Sequence, residues 1–95
     1  MVKSYKVWFV KRREADDVYQ QITHIGGLTE DYYRWIISLD EAINGIETGR
    51  WIFYIQHNGS PERLVIGHSP DGIKYLKTEM EISSPESLLS LPDIS

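Results

Sequence analysis

WIFYIQHNGSPERLVIGHSPDGIKYLKTE, residues 51–79, is the stretch whose reading decides the fold. WIFYIQH (51–57) has the aromatic and β-branched composition of a buried strand, NGSPE (58–62) turns the chain, and RLVIGHS (63–69) follows as a second strand. SPDG (69–72) puts proline second and glycine fourth, the pattern of a type I turn. It leads into IKYLKTE (73–79), where Ile73, Tyr75 and Lys77 alternate with Lys74, Leu76 and Thr78. Three strands joined by short turns predict an antiparallel meander.

A meander needs something to cover one face, and the segment just before it supplies that. Ser38 and Glu41 have capping-box spacing, and Ile37 and Ala42 have the spacing of a hydrophobic staple. Leu39, Ala42, Ile43 and Ile46 recur at i, i+3, i+4 and i+7, one apolar helical stripe, and Gly49 is a natural stop. The spacing predicts a helix of about three turns over 38–49. Further upstream, SYKVWFVK (4–11) reads as one strand, with Tyr5, Val7 and Phe9 on one face and Lys6, Trp8 and Val10 on the other. VYQQITHI (18–25) reads as a second strand that Gly26 and Gly27 end, and residues 28–33 as a polar loop. The expectation is a single α+β domain over residues 1–95, ordered β-β-α-β-β-β. It comprises a small antiparallel sheet of about five strands with one helix on one face.

The chain closes on YLKTEMEISSPESLLSLPDIS (75–95), which turns apolar again at Leu88, Leu89, Leu91 and Ile94. Ser84 before Pro85 suits a helical turn started by proline. Burial of each leucine is worth roughly 1.5–3 kcal/mol, so residues 85–95 are expected to dock on the core as a turn or short helix.

Composition narrows the function classes. With no cysteine among 95 residues there is no disulfide framework, thiolate nucleophile or cysteine-based zinc site. No apolar run approaches a membrane span or a signal-peptide core, so a cytoplasmic protein without membrane contact is expected. The formal charge of −4 is unevenly spread. Five basic residues, Lys3, Lys6, Lys11, Arg12 and Arg13, precede the first acid.

Few residues suggest chemistry. His24, His57 and His68 form no ligand motif, although His57 and His68 would be cross-strand neighbours if the first hairpin of the meander paired near those ends. THIGG (23–27) lacks phosphate-loop spacing, and no nucleophile elbow or zincin helix occurs. No cofactor and no metal are expected. Trp8 beside Lys11, Arg12 and Arg13 pairs an aromatic ring with cations, as single-stranded nucleic acid sites do, with Glu14, Asp16 and Asp17 opposing them.

ITHIGG (22–27), a tryptophan ahead of SLDEAINGIETG (38–49), an aromatic strand and the ending YLKTEMEISSPESLLSLPDI together resemble domain-of-unknown-function family 3892, a set of small, mainly bacterial proteins. The chain departs from that pattern at EMEISS, where an aspartate and a glycine are frequent, and at Asp93, where a cysteine is common. The resemblance implies no activity, cofactor or catalytic residue. Thr23, His24, Tyr75 and Thr78 fall on its recurring positions and are the polar candidates for contact with a ligand or partner.

Three functions follow as expectations. The first is a non-enzymatic cytoplasmic binding or protein-interaction module that recruits a protein, or a second copy as a homodimer, by adding a strand at a sheet edge. The second is a nucleic-acid-binding accessory protein using Trp8, Lys11, Arg12 and Arg13. The third is a small enzyme or ligand-binding protein with His24 and Thr78 in one pocket.

Overall fold

The structure is a computed structural model that describes residues 2–57, 59–81 and 86–93. Along the chain these form β1 (Lys3–Lys6), β2 (Phe9–Arg12), a 3-10 turn (Val18–Gln20), β3 (Ile22–Leu28) and β4 (Arg34–Ser38). There follow α1 (Leu39–Glu47), β5 (Trp51–His57), β6 (Ser60–His68), β7 (Lys74–Thr78) and α2 (Glu86–Leu89).

The chain is α+β, and the meander forms as its turns dictate. β5 pairs antiparallel with β6 and β6 with β7, and Gly72 N–H donates to the Ser69 carbonyl across the second turn at 2.9 Å. The first hairpin is tighter than expected, because pairing extends to His57 opposite Ser60. His57 consequently pairs with Ser60 beside the turn while His68, at the far end of β6, stands opposite Lys74, so the two are not cross-strand neighbours. α1 starts where its cap residue stands, with Ser38 Oγ accepting from Glu41 N–H at 3.2 Å. At its end Gly49 adopts φ +74°, and Gly49 and Arg50 donate back to the Ile46 and Gly45 carbonyls, a Schellman closure.

The single sheet of about five strands is replaced by seven strands in two sheets, β1-β5-β6-β7 and β2-β3-β4, in the described residues. Three local events cause this. The expected strand 4–11 breaks at Val7 and Trp8, where Val7 N–H donates to the Tyr54 carbonyl in one sheet (2.8 Å) and Trp8 N–H to the Gly26 carbonyl in the other (2.9 Å). β1 then lies parallel to β5, so the first sheet is mixed. In the expected strand 18–25, residues 18–20 turn instead, because the Asp17 carboxylate accepts from Tyr19 N–H at 3.0 Å. The strand then runs through Gly26 and Gly27 to Leu28 and returns as β4, placing ITHIGG at the centre of a sheet.

The core collects Val7, Val10, Ile22, Ile25, Ala42, Ile43, Phe53, Ile55, Leu64, Leu76 and Leu88, contributed by both sheets, α1 and α2. The chain's end docks as expected. Leu88 is fully buried, Leu89 and Leu91 pack on the cluster, and Val10 N–H donates to the Pro92 carbonyl at 3.0 Å. Glu81 joins β7 to α2, its two carboxylate oxygens accepting from Thr78 N–H and Ser87 N–H at 2.9 Å each. Ser84, Pro85 and Ile94 lie outside the described residues.

Candidate functional site

β1 and β2 are one bent strand, and the bend opens a cleft. Near the corner the two sheets touch so closely that a Cβ on Gly27 would stand 2.4 Å from the Lys6 carbonyl oxygen. Away from the corner, β1 follows β5 while β3 runs on to the 29–33 turn, and the space between them widens.

On its inner side this gap is an aromatic chamber of about 250 Å³ lined by Tyr5, Thr29, Trp35, Ile37, Trp51 and Phe53. Its rings form a contiguous set, with centroid separations of 5.6 Å for Tyr5 and Trp35, 5.8 Å for Trp35 and Phe53, and 6.0 Å for Trp51 and Phe53. The Trp35 indole nitrogen is buried and makes no hydrogen bond, a cost on the order of 1–3 kcal/mol for an unpaired donor. On the outer side the gap is a wider polar groove of about 710 Å³, with Lys3 and Lys6 on one wall and Glu30 and Asp31 on the other. Tyr5 and Thr29 line both spaces and connect them.

Backbone phase adds hydrogen-bonding groups to these walls. Val7 N–H points to β5, so alternation turns the Tyr5 backbone the same way and the Ser4 and Lys6 groups toward the gap. Opposite them, Thr29 N–H donates to the Tyr33 carbonyl at 2.9 Å, marking a hydrogen-bonded pair. Counting back along the ladder turns the N–H and C=O of Leu28 away from β4 and toward the same gap.

The residues singled out by sequence are dispersed. Thr23 and His24 lie on β3, the middle strand of the smaller sheet, with His24 opposite Lys11 and Ser38. The Thr23 hydroxyl lies 3.3 Å from the Lys11 carbonyl and 2.9 Å from His24 Nδ1, so it is hydrogen-bonded within β3 and to its neighbour β2. Tyr75 and Thr78 lie on β7 at the far edge of the other sheet. Tyr75 covers Gly67 and packs on Tyr19 at 4.6 Å, and its phenol is raised above the ordinary value by burial first, then by Tyr19 and Glu81. Thr78 is fully buried, and its hydroxyl makes no hydrogen bond. Neither His24 nor Thr78 lines the chamber or the groove.

The basic run is engaged with neighbouring groups of the chain. Arg12 donates to the Leu91 carbonyl at 3.0 Å beside Asp93, Arg13 grips Gln20 through its backbone and side-chain oxygens, and Lys6 covers the Trp8 ring at 3.8 Å. Lys11 pairs with His24 across the sheet. Among the described residues no three His, Asp or Glu side chains gather as a metal site would require. No described helix is long and apolar enough to cross a membrane. Sequence reasoning missed Tyr5 and Trp35 as site residues. The available signal was the placement of large apolar residues two apart on strands, Trp51 with Phe53 and Trp35 with Ile37, which puts each pair on one face.

Fold and site together define a small α+β protein whose two sheets share a bent strand and part around an aromatic chamber. The chain matches the family model described as "Protein of unknown function (DUF3892)" over residues 8–92, and it belongs to that family. No curated protein and no solved structure matches it.

Proposed function

We propose that this protein is a non-enzymatic, cytoplasmic binding module that takes an extended peptide segment of a protein partner into the cleft between β1 and β3. The peptide pairs with the backbone groups of Ser4 and the N–H of Lys6 by strand addition and sets one large apolar side chain into the chamber. The observation that carries this reading is the chamber itself, four aromatic rings directly beneath an unpaired strand edge. An apolar cavity of about 150 Å³ holds a benzene ring, so the space here suits a phenylalanine, tyrosine or leucine side chain. A peptide oxygen reaching the Trp35 indole would also satisfy that donor. Opposed charges on the two outer walls favour a zwitterionic segment over a polyanion.

Selection from a random peptide library followed by tryptophan fluorescence titration tests the reading. Enriched peptides share one large apolar residue and bind the protein. Ser4→Pro removes an N–H that β5 does not use, so it abolishes binding while the melting temperature changes little. Failure to enrich any peptide, or full binding by Ser4→Pro, refutes the reading.

A further inference from the structure

β4 ends the smaller sheet, and Arg34 is the one charge on its outer edge. The hydrogen-bond phase set by Thr29 and Tyr33 makes Trp35 and Ile37 the residues bonded to β3 and turns the N–H and C=O of Arg34 and Ile36, with the N–H of Ser38, outward. Natural edges are usually blunted by lysine, proline or a bulge. β7, the far edge of the other sheet, carries Lys74 and Lys77, and β2 is covered by the Pro92 carbonyl at Val10. β4 reads RWIIS, has a regular register and exposes Ile36 at 40%.

We propose that β4 pairs with β4 of a second copy, antiparallel about Ile36, to make a six-stranded sheet. Self-complementarity singles out this partner. A two-fold axis at Ile36 puts Ile36 opposite Ile36, Trp35 opposite Ile37 and Arg34 opposite Ser38. Each Arg34 then arrives at the start of α1 of the other copy, where Asp40 and Glu41 occupy the first turn. No like charges face each other, and the complementary pair is formed twice. The outer face matches as well. Phe9, Gly26 and Ile36 form one cross-strand row, with the Phe9 ring lying over Gly26 and the Arg34 guanidinium 5.1 Å from that ring, and the axis doubles this row across six strands. A five-residue edge covers less than a standard interface, so association is weak and concentration-dependent. The inference does not rest on the peptide-binding reading: it uses the outer edge of β4, whereas Trp35 and Ile37 line the chamber with their side chains on the inner face.

Sedimentation of the full chain across a concentration series tests it, together with two variants. The wild type goes from monomer to dimer, and Ile36→Lys stays monomeric with an unchanged circular dichroism spectrum, because Ile36 lies on an exposed face. The chain has no cysteine, so Ile36→Cys carries one thiol. A hydrogen-bonded antiparallel pair holds its Cα atoms about 5.5 Å apart, within disulfide reach. Ile36→Cys therefore oxidises to a covalent dimer, whereas Met80→Cys, at another exposed position, does not. A strict monomer into the high micromolar range overturns the inference. So does a dimer that persists in Ile36→Lys, or equal cross-linking of the two cysteine variants.

Discussion

Glycines facing aromatic rings organise this fold at the scale of single residues. Phe9 stands opposite Gly26, Trp35 opposite Gly27 and Tyr75 opposite Gly67. In each pair the ring occupies the space where a Cβ would be, at 2.3, 3.1 and 2.7 Å. Gly27 is the most constrained, because the atom nearest its missing Cβ is the Lys6 carbonyl oxygen, which cannot rotate aside. Gly27→Ala forces the sheets apart at the corner, costing about 1–3 kcal/mol, and chemical denaturation should show that loss. Tyr75 yields a pH prediction. Its phenol is raised in the folded state, chiefly by burial, so the unfolded chain releases this proton first as pH climbs. The associated stability is whole below about pH 10 and declines above it. Denaturation midpoints measured from pH 8 to 11 should fall at the alkaline end, and Tyr75→Phe should reduce that slope.

Local chemistry made some elements legible and left others hidden. α1 could be read because its cap, stripe and stop are all written within twelve residues, and the meander because its turns carry proline and glycine at the required positions. Ser38→Ala removes the bond from Glu41 N–H and costs about 0.5–2 kcal/mol, measurable as a lower melting temperature. β4 was hidden because Trp35, Ile36 and Ile37 run without alternation straight into the helix. Two of them, Trp35 and Ile37, pack against the core cluster, and Ile36 is exposed. The break at Val7 and Trp8 was hidden for a different reason. Strand composition continues through it, and only the long-range partners Tyr54 and Gly26 divide it between sheets. THIGG was misjudged by the usual turn preference of glycine, which here yields to close approach of the neighbouring rings.

For the whole molecule, the two sheets are held together by the bent strand, by α1, which packs on strands of both, and by the chain's last segment. Deleting residues 85–95 removes the fully buried Leu88 and the Pro92 contact that covers β2. A loss of about 3 kcal/mol or more follows, lowering the melting temperature by more than about 12 °C in a domain this size; an unchanged melt would show that this segment does not close the core. The same arrangement leaves the gap between β1 and β3, away from the bend, open as the cleft. The candidate site was the least legible part of the chain, since Tyr5, Trp35, Trp51 and Phe53 come from three segments that meet only through the parallel pairing of β1 with β5 and the hairpin of β3 with β4. Amide chemical shifts recorded while titrating the protein with a library-selected peptide test the central claim most directly. A peptide seated in the cleft concentrates the shifts at the Ser4, Lys6 and Leu28 amides and the Trp35 indole, with the Ser4 and Lys6 amides gaining protection from exchange. Shifts centred on Thr23, His24 and Lys11, or spread without focus, would contradict it.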